Sequence, residues 1–298
     1  MRQHPLFGLA LALFGALVLT PDAMLMRLSQ MDGVQMMGWR GLCMGGVMIT
    51  GWALLSNARR ADLAAVTNRF GALIILCQCL NSALFSLGIA NAPAAVVLIG
   101  VATVPVFSAL LAWGVLGERA RPATWLAIAA VMSGIGIAVF GDHSGEIGFD
   151  WAALLGAVAG LGVASVLALN FVVLRARPDL PIALLIGMGA LCSGVIGTML
   201  TGPSAMPDGQ IWAMALTGAV VLPISFFSLS LAARYTPASN VSLLLLLETV
   251  LGPFWVWLAM DEAASPAMLL GGAIVVLSLA IYLLNERRLL LRQRHHAG

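Results

Sequence analysis

The chain has 298 residues, of which 61% are hydrophobic and only 9% charged, and its mean hydropathy is +1.00. Water is not the main solvent of such a sequence, and its polar stretches are each a few residues long, so no soluble catalytic domain fits between the apolar runs. All fifteen basic residues are arginine, and the net charge of +2 says less than where those arginines fall.

A spanning helix needs roughly 20 mostly apolar residues. Polar punctuation cuts the first half into Leu6 to Met26, Gly33 to Leu55, Phe70 to Ile89, Ala94 to Leu116 and Ala123 to Phe140. After a polar loop come Trp151 to Leu174, Ile182 to Leu200, Ile211 to Ala232, Ala238 to Met260 and Ala267 to Leu284. Backbone amides in hydrocarbon must be satisfied by a helix or a closed barrel, and these runs are too long and lack the alternation of barrel strands. The predicted fold is therefore an all-α integral membrane bundle of ten transmembrane helices. Arg2 followed by the apolar stretch Leu6 to Leu19 has the form of a signal peptide. No small-x-small cleavage site follows it, and the repeat described below needs it as a permanent helix.

With a cytoplasmic N-terminus, the inside loops hold Arg59, Arg60, Arg69, Arg119, Arg121, Arg175, Arg177 and Arg234. The tails add Arg2, Arg287, Arg288, Arg292 and Arg294, which leaves Arg27 outside and Arg40 within the second span. By the positive-inside rule this asymmetry predicts an even number of spans with both termini in the cytoplasm, and so a multi-pass membrane protein.

A shift of 144 residues lays the second half on the first: Pro93 falls on Pro237, Trp113 on Trp257 and Glu118 on Glu262. Five spans per half make equivalent helices run in opposite directions, a 5+5 inverted-topology repeat of the kind that builds many secondary transporters. The expected division is a first five-helix repeat over 1–140, an outside loop over 141–150, a second repeat over 151–288 and a basic cytoplasmic tail over 289–298.

The segment Val104-Pro105-Val106-Phe107-Ser108-Ala109-Leu110-Leu111-Ala112-Trp113, running on to Leu116-Gly117-Glu118, resembles the fourth-helix signature of EamA-type members of the drug/metabolite transporter superfamily. Leu247-Glu248-Thr249-Val250-Leu251-Gly252-Pro253, ending at Asp261-Glu262, resembles the ninth-helix copy, with Thr249 where a proline is common. The resemblance implies a ten-helix exporter with a central cavity, handling amino acids or other metabolites. Within that family the aromatic amino acid exporters of bacterial inner membranes are the nearest likeness, which implies an inner-membrane location.

Polar groups deep in a membrane are costly and normally face the bundle interior. In the third span Gln78, Asn81, Ser82 and Phe85 recur at i, i+3, i+4 and i+7 and share one helical face, which suits either a substrate path or hydrogen bonding that holds the bundle together. Glu248 lies about ten residues, or roughly 15 Å of helix, from the inner end of the ninth span. Three readings stand for it: a proton relay, a ligand for an amino group, or a structural partner of Arg40. Arg40 in turn can snorkel outward, pair with Asp22 or Glu248, or bind a substrate carboxylate. Asp22 follows Pro21, a helix end or a hinge. Pro105, Pro223 and Pro253 interrupt the fourth, eighth and ninth spans, where helices bend around cavities. Ser165 and Asn170 in the sixth span, Ser225, Phe226 and Ser228 in the eighth, and Asn240 and Trp255 in the ninth complete a candidate cavity of mixed polar and aromatic character. Gly41 with Gly45, and Gly156 with Gly160, fit close helix packing.

Cys43, Cys77, Cys79 and Cys192 all fall in apolar runs and read as core residues rather than as a disulfide or metal site. An intramembrane enzyme is a poor fit. His4, His143, His295 and His296 all lie in tails or a loop, and no nucleophile elbow, paired intramembrane aspartates, phosphate loop or lysine is present. A channel would need a ring of charge or a repeated filter sequence. The expectation is a transporter without cofactor, metal or nucleic acid, whose partners are a small-molecule substrate and the lipid bilayer. A monomer already supplies both halves of the cavity, and a dimer is compatible with this.

Overall fold

The computed structural model describes residues 5–92, 94–140, 151–260 and 266–295, and among these every regular element is a helix. They form ten successive rods. The first consists of Pro5–Leu19 and Asp22–Ser29, the second is Gly33–Leu55, the third Arg69–Asn91, the fourth Ala94–Val101 with Val104–Leu116, and the fifth Pro122–Phe140. The sixth is Trp151–Ala176 and the seventh Ile182–Thr201. The eighth runs Ile211–Leu216, a π-helical turn Thr217–Val221 and Leu222–Tyr235; the ninth is Ala238–Leu245 with Leu247–Met260; the tenth is Pro266–His295.

Among the described residues seven rods are long and apolar enough to cross a membrane, and the fifth and ninth add shorter apolar stretches, Pro122–Ile137 and Ala238–Gly252. The second is long enough, but Gln35, Arg40 and its glycines dilute its hydropathy. The outer surface is apolar. Leu55, Leu126 and Met199 are each more than three-quarters exposed, as lipid-facing side chains are and water-facing ones rarely are. This is the all-α, ten-helix membrane bundle that the apolar runs predict.

The packing repeats with the duplication. The second rod packs along the seventh, the fifth along the tenth and the fourth against the ninth, so these pairs map onto themselves when each rod is exchanged for the one five places on. The first rod packs on the eighth as the third packs on the sixth, again related by that exchange. Backbone details follow the same 144-residue shift: the break after Val101 recurs after Leu245, and the caps Ala92 (φ −140, ψ 161) and Thr236 (φ −133, ψ 156) have nearly the same extended conformation. Pro93, the loop 141–150, Asp261 and Glu262, which also enter the sequence match, lie outside the described residues, as do His4, His143 and His296.

Small residues let the central rods approach closely. A Cβ on Gly41 would sit on the backbone of Gly194 and Ala190, and one on Gly197 would lie 2.6 Å from the nitrogen of Gly38. Gly45 meets Leu191, and Gly160 meets Val97 and Gly100, so the predicted packing role of the glycine pairs holds in both halves. Both partners at Gly41–Gly194 are backbone and cannot step aside. Gly194→Val is therefore expected to destabilise the protein by about 1–3 kcal/mol, the usual cost of overpacking. Thermal unfolding in detergent measures this, and an unchanged midpoint would contradict the packing.

Three features depart from the sequence reading. The tenth helix continues past Leu284 to His295, because Asn285 to His295 contains no breaker and is rich in helix-favouring Leu and Arg. A short surface helix, Arg59–Val66, fills the loop after the second rod, with Asp62 accepting from Trp52 Nε1 (2.8 Å) and Ser56 Oγ (2.5 Å). Of the cysteines only Cys77 is buried; Cys43 and Cys79 are half-buried, and Cys192 is exposed on the apolar surface, so the core reading holds for one of the four.

Candidate functional site

Breaks in four rods converge on one place. The first rod is interrupted at Thr20–Pro21, the fourth at Ala102–Thr103, the ninth at Leu246, and the eighth loosens into its π turn ahead of Pro223. Leu19 and Asp22, Val101, Leu245 and Glu248, and Leu222 flank these breaks, and all of them line a single cavity. Irregular backbone at membrane depth is tolerated where it borders such a space. Eight rods contribute to the wall; the fifth and tenth pack on one another outside it.

The third rod supplies the polar wall. Gln78, Asn81, Ser82 and Phe85 all face the cavity, so the predicted stripe is one surface, and Ser86 extends it by one step. Gln78 Oε1 is buried without a partner among the described residues, an acceptor left open where the cavity can supply a donor.

Three ionisable side chains meet these amides. Arg40 forms a bidentate pair with Asp22, with Nη1 donating to Oδ1 at 2.9 Å and Nη2 lying 2.8 Å from Oδ2, both side chains being less than a tenth exposed. Of the partners weighed for Arg40, Asp22 is the one it holds. The guanidinium also lies 5.8 Å from the centre of the Phe85 ring, within reach of a cation–π contact. Glu248 lines the same space, within electrostatic reach of both Asp22 and Arg40. One cation and two carboxylates thus share a wall whose apolar part includes Phe226, Met44 and Leu167. The cavity volume is about 60 Å³, room for a few waters.

Other predicted residues lie elsewhere. Ser165 Oγ donates to the Gly162 carbonyl (2.9 Å), as helical serines often do, and Asn170 is buried in the sixth rod; neither lines the cavity. Asn240 belongs to a buried chain in which Tyr282 Oη donates to its Oδ1 (2.7 Å) and lies 3.0 Å from Thr124 Oγ1, tying the ninth, tenth and fifth rods together. Trp255 Nε1 donates to Thr20 Oγ1 (2.9 Å) and closes over the break of the first rod instead of forming an aromatic wall. Ser225 and Ser228 are buried in the eighth rod away from the lining, and the side chain of Pro253 lies outside the described residues. Pro21 and Pro105 mark breaks, as expected, with Pro105 in the first turn of Val104–Leu116.

Clamps flank the cavity on both sides. On the side of the chain termini, Arg175 donates to Glu118 Oε1 through Nε (3.2 Å) and Nη2 (3.1 Å) and to the Arg234 carbonyl (3.0 Å), while Arg234 donates to the Leu180 carbonyl. Beside them Arg69 and Arg177 stack on the ring of Phe70, at 4.7 and 5.0 Å, and the Arg177 hydrogen bonds hold the Asp179 carboxyl below its ordinary range. On the other side Gln35 Nε2 donates to the carbonyls of Ala205 (3.0 Å), Met206 (3.2 Å) and Asp208 (2.7 Å), and Trp39 Nε1 donates to that of Met206 (2.8 Å). The sequence reading missed Gln35 and Trp39. The available signal was an amide and an indole one helical turn apart at the start of an apolar run.

Discontinuous membrane helices whose breaks meet around a polar interior are a construction that many secondary transporters share. Residues 6–140 match the model of the EamA-like transporter family. A solved crystal structure 19% identical in sequence superposes with a TM-score of 0.76 over 95% of this chain and 97% of its own; the likeness is one of fold and runs through both halves. No curated protein sequence matches the chain.

Proposed function

We propose that the protein exports a small zwitterionic metabolite, an amino acid with an aromatic side chain being favoured, from a bacterial cell across the inner membrane, with both chain termini in the cytoplasm. The observation that carries this reading is the meeting of Arg40, Asp22 and Glu248 with the amides of Gln78 and Asn81 on one cavity wall. An ammonium group is matched by two carboxylates, a carboxylate by the guanidinium, and a flat apolar side chain by Phe85 and Phe226. The cavity is smaller than the several hundred Å³ of typical ligand sites, so admitting such a molecule requires the rods to part. The breaks at Thr20–Pro21, Ala102–Thr103 and Leu246 provide the hinges, and the clamps on either side open in turn. With no nucleotide-binding motif in the sequence, the driving force is a gradient.

The test is uptake of labelled tryptophan, phenylalanine, threonine and methionine into liposomes holding the purified protein, with unlabelled competitors. Saturable uptake suppressed by aromatic amino acids is the expected result. Absence of uptake above empty liposomes, with the protein shown to be folded, would overturn the substrate assignment. Crosslinks that hold one clamp shut without altering transport would overturn alternating access.

A further inference from the structure

A second cavity, of about 530 Å³, opens on the outer face between the fifth and tenth rods, away from the central site. Its long walls are apolar and exposed: Leu126 is 76% exposed, Ile281 67% and Leu284 53%. The Tyr282 ring forms its floor, fixed by the hydrogen bonds of its hydroxyl to Asn240 and Thr124. The end nearest the chain terminus is polar and carries Asn285 and Arg288. Charge there is unbalanced. Glu286 is taken by Arg121 (3.2 Å), and Arg287 and Arg288 are exposed with no acidic partner among the described residues.

We infer that this groove binds one anionic phospholipid, its acyl chain along Leu126 and Ile281 and its phosphate at Arg288 and Asn285. An apolar trough that ends in uncompensated arginine at the level of the loops matches the two parts of such a lipid. A second copy of the chain is a poorer occupant, because a two-fold contact through this groove would set Arg288 near Arg288. The inference is independent of what the central cavity carries.

The test uses the full-length protein, delipidated in a neutral detergent and titrated with phosphatidylglycerol or with phosphatidylcholine of the same chains, read by native mass spectrometry and by thermal unfolding. Phosphatidylglycerol is expected to be retained at one site and to raise the unfolding midpoint, with phosphatidylcholine much weaker. Arg288→Gln should weaken retention about fivefold, the effect of one arginine near a lipid surface. Ala130→Trp, which fills the trough, should abolish it, and Arg60→Gln, far along the chain on the short surface helix, should leave it unchanged. Equal retention of the two lipids, full retention by Arg288→Gln, or the same midpoint shift from inorganic phosphate alone would overturn the proposal. So would a dimer that Ala130→Trp dissociates and phosphatidylglycerol does not. Arg288 is exposed, so its variant keeps the test valid where Ala130→Trp does not fold.

Discussion

Arg40→Met, with Asp22 left in place, is expected to lower stability by about 3–5 kcal/mol, because it strands a buried carboxylate whose bidentate partner is gone. The same change is expected to stop transport. Asp22→Asn should show a comparable loss, since it leaves the guanidinium without its anion, and Asp22→Leu combined with Arg40→Met should regain most of the stability, because neither charge then remains to be desolvated. Transport is not expected to return in the double variant. Stability regained without transport separates the pair's use to the substrate from its use to the fold. A double variant as unstable as either single one would mean that the pair is not an isolated interaction, and one that transports at full rate would remove Arg40 from the substrate path.

Glu248→Gln is expected to behave differently. Gln keeps the shape and the hydrogen-bonding capacity, and among the described residues the ion pair of Arg40 is with Asp22, so the unfolding midpoint should stay near that of the native chain. Loss of a charge-assisted bond to an ammonium group should slow uptake roughly ten- to a hundredfold. If Glu248 also carries the coupling proton, native uptake will respond to a pH gradient and the variant's will not. A large fall in stability with uptake unchanged would assign Glu248 to holding the helices together.

The ten rods were legible because hydrocarbon imposes a minimum run of apolar residues and leaves few polar ones to confuse the boundaries. The polar wall was legible for a related reason. Gln78, Asn81, Ser82 and Phe85 stand out at helical spacing in an otherwise apolar run, and a costly side chain in a membrane advertises an inward face. What periodicity does not carry is which inward faces meet at the same depth. Asn240 and Trp255 look like cavity residues in the sequence, yet one is satisfied by Tyr282 and the other by Thr20, partners 42 and 235 residues away along the chain. Apolar lining residues such as Val101, Leu167 and Ala190 gave no signal at all, since their type is the same toward cavity, core or lipid. The helix breaks were largely legible. Pro21, Pro105 and Pro223 marked three of them, but Leu246 lies in a run of leucines, and only the 144-residue correspondence with Ala102 explains its place.

The most direct measurement is protection of a single thiol in the central cavity. Ser82 lines it and is half-buried, so Ser82→Cys, in a chain with Cys43, Cys77, Cys79 and Cys192 replaced by serine or alanine, places one reactive group there. Modification by a membrane-impermeant thiol reagent is expected to block transport, and a transported amino acid at saturating concentration is expected to slow that modification. Full transport by the modified protein, or the same labelling rate with and without a substrate that it demonstrably transports, would contradict a substrate path through this cavity.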